Sequence, residues 1–444
     1  MFKSKIFRAG ALLAFFTIIG KLIGLYRDRI LAGQFGASSE LDVYYAAFRI
    51  PDLIFNLFIL GATSSAIVPI FLEYYHKEIS TAWRAAQNFL NVMAAGILAV
   101  SVVVMIFAEP LAGLIGPGFT SSQAHVLAML IRIMLISSII FAVSTILGSI
   151  LQALQRFLVY SLASIFYNLG IIVGAIWFVP LFESWGYLGI YGLGFGVVLG
   201  ALLHLLIQLP VAWRAGFRFT LLFDIYDGAF RRMISLMLPR TLALGAYNIG
   251  LVVITSIASL LGSGSITILN LATNLQFVPI SIVGISLATA VFPQLSTHAA
   301  KNELLEFKKK LNHALWLTLV FTGLLAVAIF IFRNIIVDAI FKVGQFKDAD
   351  RALTASVVGI FMFSAVSQSL MHVVTRAYYS FQNTKTPFWV SVFAIALNVA
   401  LSYILGLKFD MGVRGIAVAT AIAYNIHFIL LLIIFNTKYR LYWK

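Results

Sequence analysis

Uncharged apolar runs of about 18 residues or more recur from one end of this 444-residue chain to the other. Each is long enough to span a hydrocarbon layer about 30 Å thick. Lipid offers no partner to a backbone N–H or C=O, so such runs must be helices or the strands of a closed barrel. Barrel strands are alternating segments of about ten residues. Here the runs are long and continuous, as in Val92–Ala108 and Ile416–Phe435, and the reading is helical. Only 11% of residues are charged and 61% are hydrophobic, against about 25% charged in an ordinary soluble domain. The expected fold is an all-α polytopic membrane protein.

The spans fall near residues 9–35, 41–74, 86–116, 124–153, 158–181, 186–213, 232–261, 265–296, 311–333, 353–381, 387–407 and 413–436, about twelve in all. The basic start, MFKSKIFRAG, resembles the opening of a signal peptide. No small-residue cleavage site follows, so it reads as a retained first helix. With the N-terminus placed in the cytoplasm, the inner side holds 18 Lys and Arg, from Lys3, Lys5 and Arg8 through Lys438, Arg440 and Lys444. The outer side holds 6: Arg333, Lys342, Lys347, Arg351, Lys408 and Arg414. That excess sets both termini inside.

The net charge of +15 is spread over short loops between apolar runs. It therefore reads as a topology determinant, and no nucleic-acid partner is expected. The absence of cysteine excludes disulfides and thiolate chemistry. The seven histidines show no ligand spacing, and no Ser-His-Asp, Walker or glycine-rich phosphate motif appears. No metal, cofactor or enzymatic activity is expected. The longest links, around Arg214–Arg232 and Thr297–Lys310, are basic and amphipathic. They read as surface helices on the anionic inner leaflet.

The halves resemble one another. Ser64–Pro69 closes the second span and Ala288–Pro293 the eighth, an offset of 224, while Ser161 and Asn168 match Ser391 and Asn398 at an offset of 230. Six helices per unit give two lobes of the same orientation, residues 1–222 (helices 1–6) and 223–444 (helices 7–12). The axis relating them lies along the membrane normal, and the substrate path runs between them around a central cavity.

Charge inside the bilayer costs roughly 3 kcal/mol per group at a helix centre, and the first two spans carry several. At 100° per residue, Gly20, Lys21, Gly24, Arg27 and Asp28 share one face of the first helix, with Arg29 off it. Asp42, Tyr45, Arg49, Asp52 and Asn56 share a face of the second. Arg49 and Asp52 are three apart and can pair. Pro51 removes a backbone hydrogen bond there and kinks the helix. One reading is an internal ion-pair network. However, Lys21, Arg27, Arg29 and Arg49 outnumber Asp28, Asp42 and Asp52 by one. The sharper reading is a polar cavity for an anionic headgroup, since Arg holds phosphate bidentately. The eighth span is polar but neutral, with Asn270, Thr273, Asn274 and Gln276; the seventh carries Arg240, Asn248 and Thr255. Arg240 reads as snorkelling, and Arg132 and Arg376 as isolated residues that are structural or snorkelling.

These residues carry a resemblance. Gly24-Leu25-Tyr26-Arg27-Asp28, Phe35-Gly36-Ala37, Asp42, Ala47-Phe48-Arg49-Ile50-Pro51 and Gly61 through Pro69 resemble the N-terminal signature of the MurJ (MviN) lipid II flippase family of the MOP exporter superfamily. Val283-Gly284 through Phe292-Pro293-Gln294-Leu295-Ser296 is similar to the same family. The resemblance implies two six-helix lobes around a V-shaped cavity that opens to each side in turn. It also implies transport of lipid II, an undecaprenyl-pyrophosphate-linked headgroup, to the outer leaflet of the bacterial cytoplasmic membrane for peptidoglycan synthesis. The family's cavity bases match Lys21 and Arg27, beside Asp28; its second-helix acid and base match Asp42 and Arg49. Two further family arginines align with Phe55 and Asn274, and the family usually has fourteen helices where about twelve are read here.

The expected substrate-binding set is Lys21, Arg27, Asp28, Asp42, Arg49, Asp52, Asn56, Asn270 and Asn274, with Gly20, Gly24 and Pro51 as hinges. The expected partners are lipid II and membrane lipids, with the protein a monomer. The alternatives are a flippase for another lipid-linked oligosaccharide, a cation-coupled drug exporter of the same superfamily, a lipid-phosphate transferase and a transport-dead scaffold. The drug exporter is disfavoured by the surplus of bases. The transferase would need clustered acids or histidines at one membrane face, and the sequence has none.

Overall fold

The structure is a computed structural model that describes residues 2–60 and 67–439; for residues 2–14, 60, 238–240 and 242–243 it describes the backbone alone. The Gly61–Ala66 part of the signature and the Arg240 side chain lie outside the described residues.

Every regular element among the described residues is helical. The first part of the chain forms α1 (Phe2–Phe35), α2 (Ser39–Ala47), α3 (Arg49–Phe55), α4 (Val68–Tyr75), α5 (Ile79–Ile106), α6 (Ala108–Ile115), α7 (Ser121–Ala153), α8 (Phe157–Val173), α9 (Val179–Ser184), α10 (Gly189–Leu206), α11 (Leu209–Arg214) and α12 (Gly228–Ser259). The remainder forms α13 (Ser265–Pro279), α14 (Ser286–Ala300), α15 (Leu304–Phe341), α16 (Asp348–Ser380), α17 (Lys385–Tyr403) and α18 (Gly412–Tyr439). Among the described residues, nine helical stretches are long and apolar enough to cross a membrane. The other three expected spans coincide with α1, which carries the charges, with the broken run α2–α4, and with α12. Large side chains such as Trp316, Phe321, Leu324 and Ile335 are exposed along α15. That is the surface lipid requires and water penalises.

Two compact units result. One holds Met1–Gln34 and Ser39–Val252; the other holds Phe35–Ser38 and Val253–Lys444. The first is held by glycine. Gly170 and the π-helical turn at Gly174 lie so close to α10 that a Cβ on Gly170 would stand 2.3 Å from the Gly200 Cα, and one on Gly174 2.4 Å from the Gly196 Cα. Small residues at four-residue spacing let two backbones touch, which is how apolar helices gain dispersion energy in lipid. The second unit has an aromatic core where α15, α16 and α18 meet. Phe381 stacks on Tyr439 at 4.4 Å, and Tyr378 gives its hydroxyl to the Leu431 carbonyl at 2.9 Å. The Phe35–Ser38 turn packs within this unit. Gly36, at φ +63°, would place a Cβ 2.7 Å from the Gln345 carbonyl oxygen, so only glycine fits there.

The halves also echo one another in backbone detail. α7 and α16 are each 33 residues long, and each is followed by a glutamine in the left-handed region, Gln155 and Gln382. π-Helical turns begin at Asn56 and Ile280, 224 apart, and at Gly174 and Ile404, 230 apart. These are the offsets of the sequence repeat.

Three local expectations are corrected. The Arg214–Arg232 link is not a surface helix: between α11 and α12 the chain is extended or in turns. The carbonyls of Ala215, Arg218, Thr220, Leu222 and Asp224 and the Asp224 N–H are paired with side chains of α5, which holds one edge of the link in an extended form. The Thr297–Lys310 link is no separate element either. α14 runs to Ala300 and α15 starts at Leu304, with Asn302 at φ 55° making the turn. Nor is Arg132 isolated. It donates to the Met105 carbonyl at 3.1 Å and to Glu109 at 3.3 Å, tying the α5–α6 break to α7. Arg376 lies over the Phe292 ring at 5.1 Å.

Candidate functional site

The charged face of α1 lies in the first unit against α8. A Cβ on Gly20 would meet the Ser164 hydroxyl at 3.5 Å, and one on Gly24 would meet Asn168 Oδ1 at 3.8 Å. One turn further, Arg27 donates from Nη1 to Asn168 Oδ1 at 2.9 Å. Near the end of α1, Gln34 donates to the Ala175 carbonyl at 2.9 Å. Numbers rise together along the two helices, so α1 and α8 run parallel, as the first and fifth spans of a polytopic chain must.

Arg27 is the centre of this contact. Its Nε and Nη2 both reach Asp28 Oδ1, at 3.0 and 2.7 Å. Asp28 is 1% exposed, and the Arg27 guanidinium stands beside it as a counter-charge. A guanidinium has five N–H donors. Three are engaged here, and two remain on a side chain that is 20% exposed. The arrangement holds the cation in one orientation and keeps donors for an incoming anion.

Lys21, six residues before Arg27, is exposed. Asp42 is buried on α2, whose inner side is aromatic: Tyr44 packs edge-on against Tyr45 at 5.4 Å and Phe48 at 5.1 Å. The Tyr45 hydroxyl is buried with no hydrogen-bond partner among the described residues. Helix α2 stops at Ala47, and α3 restarts at Arg49 after the single residue Phe48. The missing N–H of Pro51 leaves the Ala47 carbonyl without its helical donor, which accounts for the break. The Pro51 carbonyl accepts from Ser138 of α7 at 3.4 Å. Beyond the break Arg49 is half-buried and Asp52 exposed. Asn56 opens the π-helical turn and donates to Asn248 of α12 at 3.0 Å. Phe55 stands 5.9 Å from the Phe141 ring, which packs on Tyr167 at 4.9 Å and on His204 at 5.2 Å.

Asn270 and Asn274 belong to the second unit, half-buried on α13. Asn270 donates to its own helix at the Ile266 carbonyl, 3.3 Å away. Gln276 turns into the packing and donates to Ser364 at 3.0 Å. Asn398 accepts from Ser402 and Thr420, both at 3.2 Å. No cluster of three or more His, Cys, Asp or Glu able to hold a metal occurs among the described residues.

Sequence phasing placed Arg27 and Asp28 on one face but missed the partner of Arg27 on α8, Asn168. Ser164 and Asn168 are polar residues four apart in an apolar span, a pattern that the same phasing would have marked had it been applied to the fifth helix.

Comparison with known proteins follows this geometry. A family model described as "Lipid II flippase MurJ" matches residues 31–443. A probable lipid II flippase MurJ of Buchnera aphidicola subsp. Acyrthosiphon pisum is 28% identical over 418 residues, which are 94% of this chain and 81% of that protein. The lipid II flippase MurJ of Burkholderia cenocepacia is 27% identical over 422 residues, 92% of this chain and 81% of its own. A solved structure titled "Lipid II flippase MurJ, inward closed conformation" superposes with a TM-score of 0.80 at 25% identity, covering 96% of this chain and 87% of that one. An inward-facing multidrug resistance MATE transporter of the MOP superfamily gives the same TM-score at 14% identity, a likeness of fold. The chain belongs to the lipid II flippase MurJ family.

Proposed function

We propose that this protein is a transporter, not an enzyme, that carries lipid II from the inner to the outer leaflet of the bacterial cytoplasmic membrane by alternating access. The observation that carries the reading is Arg27, a cation inside a predicted span, fixed by Asp28 and Asn168 with two N–H donors to spare. A pyrophosphate is the kind of anion that such a fork receives. The names of the relatives supply the substrate. Lys21 and Arg49 add attraction. Asp28, Asp42 and Asp52 orient the bases, and Asn56, Asn270 and Asn274 offer hydrogen bonds to sugar or peptide. The lobes are residues 1–222 and 223–444, a division supported by the recurring π-helical turns. Gly20, Gly24 and the break at Pro51 allow them to rock. Both termini face the cytoplasm, on the strength of the 18 to 6 excess of Lys and Arg, and the protein acts as a monomer.

The test is rescue of a flippase-depleted bacterium with outer-leaflet lipid II measured. Restoration by the wild-type chain supports the reading; failure of a chain that is inserted at normal abundance overturns it. Drug export is the second reading, favoured by the buried acids Asp28 and Asp42 and the MATE-like fold. It requires raised drug resistance without any rise in outer-leaflet lipid II.

A further inference from the structure

We infer that the extended strap between α11 and α12 is an interfacial membrane anchor, with its backbone held by side-chain amides in place of a neighbouring strand. The inference rests on the proposed orientation, which puts the strap at the inner leaflet.

Three amide side chains of α5 read one edge of the strap. Gln87 donates to the Arg218 carbonyl and accepts from the Thr220 hydroxyl. Asn91 donates to the Thr220 carbonyl at 2.7 Å and the Leu222 carbonyl at 3.2 Å. Asn88 donates to the Asp224 carbonyl and accepts from the Asp224 N–H, both at 2.8 Å. All three amides are buried. Trp83 adds a bond from Nε1 to the Ala215 carbonyl at 2.9 Å. The residues read on this edge are all even-numbered from 218 to 224. In an extended chain, alternate residues direct their backbone groups to opposite edges. The groups of Phe219, Leu221 and Phe223 therefore face away from α5, and no partner for them occurs among the described residues.

The side chains on this strap are of the wrong kind for water. Phe219, Leu221, Phe223, Ile225 and Tyr226 are 63, 72, 61, 54 and 74% exposed. Arg214, Arg218 and Arg231 flank them, and Arg231 lies over the Tyr226 ring at 5.0 Å. Asp224 and Asp227 also lie on the strap, so the three arginines leave a surplus of one positive charge, and apolar and aromatic residues with such a surplus suit the boundary between acyl chains and anionic headgroups. Depth agrees. The amides at Gln87–Asn91 stand one to five residues inside the predicted span that begins at 86. At 1.5 Å per residue, the strap lies within about 8 Å of the boundary. Irregular backbone at that depth is tolerated only where its polar groups are met. The amides meet one edge, and headgroup water meets the other. A peptide strand pairing with the free edge is the competing occupant; the arginines and the depth favour lipid.

The full chain has no cysteine, so Leu221→Cys carries a single spin label. We would compare it with Lys77→Cys, an exposed site in the α4–α5 turn on the same side. Both would be placed in phosphatidylcholine vesicles with and without phosphatidylglycerol. The expected result at position 221 is collision with a water-soluble nickel chelate several-fold lower than at 77, oxygen collision higher, and a deeper position with phosphatidylglycerol present. Nickel access equal to that at 77 in both vesicles overturns the inference and leaves the edge to a peptide. Adding Asn88→Ala and Asn91→Ala should make the depth at 221 variable; an unchanged depth overturns the role given to the amides. Neither readout depends on transport, so failure here is distinct from failure of the flippase reading.

Discussion

Arg27 and Asn168 are 141 residues apart and meet at 2.9 Å, the guanidinium Nη1 donating to the amide oxygen. Asn168 is itself fixed, since its Nδ2 donates to the Ser164 carbonyl at 2.9 Å. The cation of α1 is thus aimed by a residue of α8. Arg27→Ala should reduce outer-leaflet lipid II in a depleted strain to the background level while membrane abundance stays normal. Asn168→Ala should weaken transport less, because the two bonds to Asp28 survive, and Asn168→Asp should hold the arginine more tightly and slow release. Normal rescue by Arg27→Ala would sink the assigned role.

Asp28 should matter more for stability than for substrate contact. Asp28→Asn leaves Arg27 without its counter-charge, a change that typically costs about 3–5 kcal/mol for a buried pair. Replacing both residues together, Arg27→Met with Asp28→Leu, should recover most of that loss without recovering transport. Thermal melting of the detergent-purified protein separates the two outcomes, and equal melting of Asp28→Asn and wild type would count against a buried pair.

Gly174 should tolerate no side chain. A Cβ there would stand 2.4 Å from the Gly196 Cα and 3.1 Å from its N. Both are backbone atoms that cannot swing aside, so Gly174→Val should destabilise by at least the 1–3 kcal/mol typical of overpacking. Gly113, with nothing within 4 Å of its Cβ position, is the control. Loss of melting temperature in Gly113→Val equal to that in Gly174→Val would argue against the close approach.

The strap should come loose without its amides. Asn91→Leu removes two hydrogen bonds and Asn88→Leu removes two more, each worth about 1 kcal/mol net. Limited proteolysis of proteoliposomes should then cut between α11 and α12 at a rate that rises with each substitution. An unchanged cleavage rate in the double variant would show that the strap is held by other contacts.

The sequence is most legible where the physics is local. Long apolar runs mark the helices because each residue contributes to the cost of transfer independently, and nine described stretches meet that criterion by length and composition alone. Pro51 marks the α2–α3 break because the missing donor is a property of one residue. Where signals conflict, reading fails. The basic, aromatic link from Arg214 to Arg232 has the composition of a surface helix, yet three amides on α5 pair with one edge of it and hold it extended. Arg132 reads as solitary only because its acceptors, Met105 and Glu109, lie more than twenty residues away in the chain.

The sequence by itself determined that this chain is helical, that it lies in a membrane, which helices carry charge, and where the halves repeat. All of these follow from hydropathy, period and composition within one segment. Only the tertiary structure decided which polar groups meet: Arg27 against Asn168, Asn56 against Asn248, and the strap against α5. Those pairings depend on which helix surfaces approach closely, and that is set by packing such as the glycine contact of α8 with α10. Two side chains far apart in the chain carry no mark of one another until such packing brings them together.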